Sequence, residues 1–214
     1  MKKRLFAILL AALLLFAACG TDIDIPARGY WDGDTFVSAY FGLRFDLPQG
    51  WAIASEEEIA EAMWLDADVR VEPGTHIPQE VFDALGELQL PDMWAQESPL
   101  GMFRNNAVMT AIGRLPDDAP LSEIDMFLEI VEQVQDNEWL DFVIGEGTIR
   151  IGAHDWYFAD QHFITGWNIS DPSAAEMHNQ RAFARFDNGF IKMLSIVYYD
   201  ADMLQDIMAN FRPY

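Results

Sequence analysis

The sequence predicts an α+β fold, a mainly antiparallel sheet of about six strands with helices packed on it. Three observations carry that expectation. Short runs such as 42–47 and 155–163 alternate apolar and polar residues, the period of half-buried strands. Asp187-Asn188-Gly189 separates two further runs, 181–186 and 190–199, and Asn-Gly tolerates the positive φ angles of a tight type I′ turn. After Ser122, apolar residues recur at helical spacing, the mark of a helix lying on a sheet.

Residues 1–20 stand apart from that pattern. Lys2, Lys3 and Arg4 precede an apolar run over 5–18, which ends in Ala17-Ala18 and the chain's one cysteine, Cys19. A basic start, a short apolar run and a small-residue junction form a secretory signal, 1–18, cleaved before Cys19. The run is shorter than the roughly 20 apolar residues of a comfortable spanning helix. A thiol at such a junction can be acylated and kept at the membrane while the rest of the chain is exported. Phe16-Ala17-Ala18-Cys19 resembles the lipobox of bacterial lipoproteins, usually Leu-Ala-Ala/Gly-Cys, with Phe16 departing from the usual Leu. The resemblance implies a thioether-linked diacylglycerol on Cys19 and a mature chain starting there. Two acyl chains make a stable anchor where one binds only marginally, at about 0.8 kcal/mol per buried methylene. A plain secretory signal with an incidental Cys19, or an uncleaved anchor, are the alternatives.

The 214 residues suit one domain after the signal, and 51% apolar residues suffice for a sizeable core. With Cys19 lipidated, no disulfide, thiolate nucleophile or cysteine-ligated metal remains. Beyond Arg4, ten basic residues face 35 acidic ones, and Lys192 is the one lysine among them. Such acidity disfavours nucleic acid, whose binding rests on basic patches. It also repels an anionic membrane surface within about 8 Å at physiological salt. Solubility is the plainer reason for it, and a basic partner or divalent cations the sharper one.

Residues 19–34 read as a tether, polar and broken by Pro26, Gly29 and Gly33, with the domain running from 35 to 214. In the domain, 42–47 is a strand, Pro48-Gln49-Gly50 a turn and 51–53 extended chain. Ser55 and Glu58 have capping-box spacing, with Glu56 and Glu57 in the first turn and Ile59, Ala60, Met63 and Trp64 as the apolar stripe.

These residues carry a resemblance. The stretch 40–51, followed by Ser55-Glu56-Glu57-Glu58-Ile59, resembles the opening of small Firmicutes lipoproteins similar to the PsbP-like fold. Photosynthetic PsbP proteins and a nuclear-import Ran-binding factor share that fold. The likeness extends loosely to Asp92-Met93-Trp94-Ala95 as a mid-chain strand, Asn188-Gly189 as a late hairpin and a closing helix to Phe211. It implies an antiparallel sheet with helices packed on it and no common active site. Residues 66–87 fit the pattern poorly and read as an insertion.

Further along, 78–87 reads as a short helix, 88–95 and 107–112 as strands, and 96–106 as a loop. Ser122, with Asp125 three residues on, starts the clearest helix, whose inner face is Ile124, Phe127, Leu128, Val131 and Val134. Gly145 and Gly147 place a bulge or turn between strands 142–144 and 148–151. Both faces of 190–199 are apolar, as in a central strand covered on both sides. Asp200 caps a last helix with Met203, Ile207, Met208 and Phe211 inward.

Four histidines, His76, His154, His162 and His178, are the candidates for hydrolytic or metal chemistry. Asp160 and His162 would neighbour each other along one strand, about 6–7 Å apart. A structural or solvent-facing role is the plainer reading of an isolated Asp/His pair. Asp32-Gly33-Asp34-Thr35 faintly suggests calcium but lacks the later oxygen ligands of a binding loop. Among seven tryptophans, Trp51 reads as core, while Trp31 and Trp167 are those that could line an aromatic cleft. The nucleophile-elbow, P-loop, dinucleotide and zinc-protease motifs are absent.

The sequence therefore points to a lipid-anchored extracytoplasmic binding or assembly module without catalytic activity. Cys19 is its one assigned site, for lipid attachment; no catalytic residue, metal or cofactor is assigned. Its expected partners are the membrane, through the diacylglycerol, and an envelope protein. An envelope hydrolase using Asp160 and His162, or a small-ligand receptor with an aromatic cleft, are the alternatives.

Overall fold

The computed structural model describes residues 26–62, 71–85, 89–97, 106–115, 140–165 and 176–214. Among them are two antiparallel sheets. The smaller is formed by β1 (Tyr30–Asp32), β2 (Thr35–Ser38), β3 (Leu43–Asp46) and β11 (Phe211–Pro213), in the order β1-β2-β3-β11. The larger contains β4 (Trp51–Ile53), β5 (Leu90–Glu97), β6 (Ala107–Arg114), β7 (Leu140–Ile151), β8 (His154–Thr165), β9 (Glu176–Asp187) and β10 (Phe190–Tyr198). Its order is β4-β5-β6-β10-β9-β8-β7. Three helices are described, α1 (Glu56–Ala62), α2 (Gln79–Leu85) and α3 (Ala201–Met208). The architecture is α+β and mainly antiparallel, as the alternation and the hairpin signal led us to expect. The expected six strands become a sheet of seven plus a second sheet of four among the described residues.

Local signals act as written. Ser55 Oγ accepts from Glu58 N at 3.2 Å, and Glu58 Oε2 accepts from Ser55 N at 2.7 Å, so α1 starts on a reciprocal capping box. Asp200 Oδ1 accepts from Met203 N at 2.9 Å and caps α3. Asp187 pairs with Phe190, leaving Asn188 and Gly189 as a two-residue turn with φ of 49° and 83°. Strand β7 runs through Gly145 and Gly147, with a register shift between Ile144 and Thr148. The helix expected after Ser122 falls in 116–139, outside the described residues.

Strand β10 lies at the centre of the large sheet and is covered on both sides. Lys192, Leu194, Ile196 and Tyr198 are buried towards the main core. Ile191 is buried on the other side with Ala159, Ala184 and Phe186. The small sheet supplies Phe36, Leu43 and Phe45 to the main core, and Tyr40 and Phe41 join it from the turn between β2 and β3. Phe41 stacks on the fully buried Trp156, ring centroids 6.0 Å apart.

Two boundaries differ from expectation. Residues 26–34 are part of the folded body and not tether. Gly33, at φ 60°, turns β1 into β2, and Trp31 packs on Phe36 with centroids 5.5 Å apart. Phe36 can sit there because Gly29 has no side chain; a Cβ at Gly29 would lie 2.2 Å from the ring. At the other end, the helix stops at Met208 instead of reaching Phe211. Phe211 begins β11, pairs with Phe45 and packs on its ring at 4.8 Å. That cross-strand aromatic contact outweighs the helical spacing of Phe211.

Candidate functional site

Cys19 lies outside the described residues. The chain enters the described structure at Pro26, beside the segment 71–77. Ile77 N donates to Pro26 O at 2.8 Å, Arg28 N to Thr75 O at 2.9 Å, and Gly74 N to Gly29 O at 3.1 Å. His76, one of the four candidate histidines, contributes only its backbone bridge to Ala27 and is exposed.

Arg28 fastens this entry point. Its five N–H donors are all taken. Nε donates to Asp92 Oδ1 at 3.4 Å and Nη2 to Asp92 O at 3.2 Å. Nη1 and Nη2 reach the two carboxylate oxygens of Glu56 at 2.8 and 3.0 Å, and Nη1 also donates to Val71 O at 2.8 Å. Both Asp92 oxygens accept from Gly29 N, at 2.8 and 3.0 Å. Asp92 can turn inward because it is the extra residue of a bulge: Pro91 pairs with Ala111 and Met93 with Thr110.

Arg28 and Asp92 are buried, whereas Glu56 is half-exposed at the start of α1. Burial is the largest influence on Asp92 and pushes its pKa up to about 6, against the Arg28 charge and the Gly29 N–H. Burial also works against the Arg28 charge, but Glu56 and Asp92 outweigh it and its pKa rises. Sequence reading missed this cluster, although a charged residue inside the apolar run 88–95 was its signal.

Asp160 is committed elsewhere. Its two oxygens accept from Arg181 Nε and Nη2, both at 2.6 Å, and the guanidinium lies 4.8 Å over the Phe158 ring. The hydrogen bonds to Asp160 are the main reason the Arg181 pKa rises. Burial, then the Asp160 charge, raises that of Tyr198 nearby. Both carboxylate oxygens of Asp160, the expected acid/base residue, are thus held by an arginine fork. The backbones of His162 and His178 lie in β8 and β9, paired with Asn179 and Phe163; their side chains are outside those described. Asp32 is exposed at the end of β1, and Asp34 at the turn that follows. Among the described residues no three His, Cys, Asp or Glu side chains gather as metal ligands.

Three of the described tryptophans belong to or pack against the main core. Trp31 lies on Phe36, Trp51 on Phe45, and Trp156 is fully buried. Trp167, the other cleft candidate, is outside the described residues.

No helix among the described residues is long and apolar enough to cross a membrane. No protein-family model matches the chain, and no curated protein matches it. Solved structures similar to it include the solution structure of cyanobacterial PsbP (CyanoP) from Synechocystis sp. PCC 6803. There the TM-score is 0.44 at 14% identity, over 91% of this chain and 96% of that one. LpqN, described as involved in cell envelope biogenesis of Mycobacterium tuberculosis, is similar at a TM-score of 0.43 and 7% identity, over 78% of each chain. At these scores neither superposition bears on function.

Proposed function

We propose that this protein is a lipid-anchored extracytoplasmic binding or assembly module with no catalytic activity of its own. The membrane holds it through diacylglycerol on Cys19, and an envelope protein is its partner. The observation that carries this is the order Lys2-Lys3-Arg4, apolar run, Ala17-Ala18, Cys19.

The Arg28 cluster adds a dimension to it. Because the fold begins by Pro26, the tether shrinks from the expected 19–34 to the few residues between Cys19 and Pro26. At about 3.5 Å per residue, that stretch reaches roughly 25 Å at most. The domain would thus stand close to the lipid surface, within reach of partners that lie there.

Mass spectrometry of the N-terminal peptide tests the anchor. The expected species starts at Cys19 and carries diacylglycerol, and Cys19→Ser should move the protein from the membrane fraction to the soluble one. An unmodified N-terminus, with wild-type protein already soluble, would overturn the proposal. Cross-linking in intact envelopes tests the module, and the expected result is one reproducible partner lost in the Cys19→Ser protein.

A further inference from the structure

The four-stranded sheet turns Phe36, Leu43 and Phe45 to the core and keeps a different set of side chains on its other face. By register, Tyr30 stands opposite Val37, Val37 opposite Arg44, and Arg44 opposite Arg212. These four make one row across β1, β2, β3 and β11, with neighbours on the same side of the sheet. Tyr30, Arg44 and Arg212 are exposed. Tyr214 joins them: its ring centre lies 5.5 Å from Arg44 Cζ, and it is the most exposed large aromatic among the described residues.

Like charges directly opposite each other across two strands destabilise a sheet, and Arg44 and Arg212 are such a pair. Arg212 is compensated by Asp46, which also accepts from Thr35 Oγ1 at 2.9 Å. Arg44 is not. Arg28, Arg114, Arg150, Arg181, Arg185 and Arg212 each reach a carboxylate, whereas Arg44 is the one arginine among the described residues that has only a ring beside it. Asp32 is the other acid of this face, exposed at the end of β1. On these strands two arginines balance two aspartates, in a chain whose net charge is −22. At physiological salt only charges within about 8 Å of a surface act on it strongly, so the local balance governs an approach from this side.

We propose that this face lies on the phospholipid headgroups of the membrane that holds the anchor, with Arg44 taking a lipid phosphate and Tyr30 and Tyr214 seated among the headgroups. The proposal rests on the anchored reading above and adds the orientation of the domain. The path of the chain supports it. Tyr30 is in the edge strand, four residues after Pro26, where the tether leaves. Four strands about 4.8 Å apart span roughly 15 Å, less than the tether's reach, so the whole row can meet one patch of lipid. The chemistry agrees: a guanidinium fork matches phosphate, and tyrosine favours the boundary between headgroups and water. A second copy of the chain would bring the same net charge of −22 against this one.

The test uses the protein as purified from membranes, placed in single-copy nanodiscs of phosphatidylglycerol and phosphatidylethanolamine that carry a gadolinium chelate on some headgroups. Paramagnetic relaxation should be roughly tenfold faster at the amides of Tyr30, Arg44 and Arg212 than at Ser195 in the other sheet, since packed sheets lie about 10 Å apart. Arg44→Gln should cut the face-on population about fivefold, the worth of one arginine at a charged lipid surface. Arg150→Gln, at an exposed position in β7, should leave it unchanged. Protein that is bound to the discs but relaxes equally at all four amides would overturn the orientation while the anchor stands, and would leave this face to a protein partner. The same contrast in wild type and Arg44→Gln would overturn the role of Arg44. Protein that does not enter the discs at all would overturn the anchor and the orientation together.

Discussion

Arg28 and Asp92 are 64 residues apart in the chain, yet Arg28 Nε lies 3.4 Å from Asp92 Oδ1. The contact joins the first described segment of the protein to the bulge in β5. Through Glu56 it also reaches the first turn of α1. It decides where any tether must leave the domain.

Removing one member of this cluster should hurt more than removing both. Arg28→Met leaves a buried Asp92 without its cation and should lower stability by about 3–5 kcal/mol at pH 7. Arg28→Met with Asp92→Leu should recover a large part of that loss. Urea denaturation of the two variants measures the coupling, and additive losses would contradict the pairing.

Asp92 also sets a pH dependence. Its folded pKa of about 6 lies above its ordinary value of 3.8, so the native state holds this proton more tightly than the unfolded chain. The stability this contributes is fully present below pH 3.8 and is lost as the pH rises through 6. The change amounts to about 3 kcal/mol between those limits. Wild-type stability minus that of Asp92→Asn, followed from pH 4 to pH 7, should fall by roughly this amount. A flat difference would show that Asp92 ionises in the native state as it does unfolded.

Two glycines in the left-handed region should respond differently. Gly189 has open space around it, so Gly189→Ala should cost only the backbone term, about 1 kcal/mol. Gly152 also has positive φ, but its Cβ would come 2.6 Å from the Gly42 carbonyl oxygen. Gly152→Ala should therefore add an overpacking cost of about 1–3 kcal/mol. Thermal or urea unfolding compares them, and equal losses would mean that the contact between the two turns is loose.

The cap of α3 is a further check. Asp200→Ala removes the acceptor for Met203 N and should cost about 1 kcal/mol, while Asp200→Ser should restore most of it. Because Leu204 and Ile207 in α3 belong to the main core, unfolding should stay cooperative in both variants.

Several of these features can be read from a few adjacent residues. Asn188-Gly189 names its turn, Ser55 with Glu58 names the start of α1, and Asp200 names that of α3. Each depends on backbone geometry or on a hydrogen bond spanning three residues. The alternation in 42–47 likewise placed β3, though the strand occupies only Leu43–Asp46. Phe211 was misread because its spacing suits a helix, and only its contact with Phe45 reveals a strand.

Asp160 and Arg181 show a different boundary. Their spacing along the chain says nothing of their pairing, which follows from the register of β8 on β9. Spacing along one strand offers His162 beside Asp160, and only the register across the sheet shows that Arg181 holds it.

The local elements, their caps and turns, and the alternation typical of an antiparallel sheet are legible in the order of residues alone. Such interactions close within a few residues and need no knowledge of the rest of the chain. The packing of distant segments is what brings residues 26–34 into the body, sets Arg28 against Asp92 and closes Arg181 on Asp160. Those outcomes depend on which distant segments exclude water together, and burial gives a charge its cost and its partner.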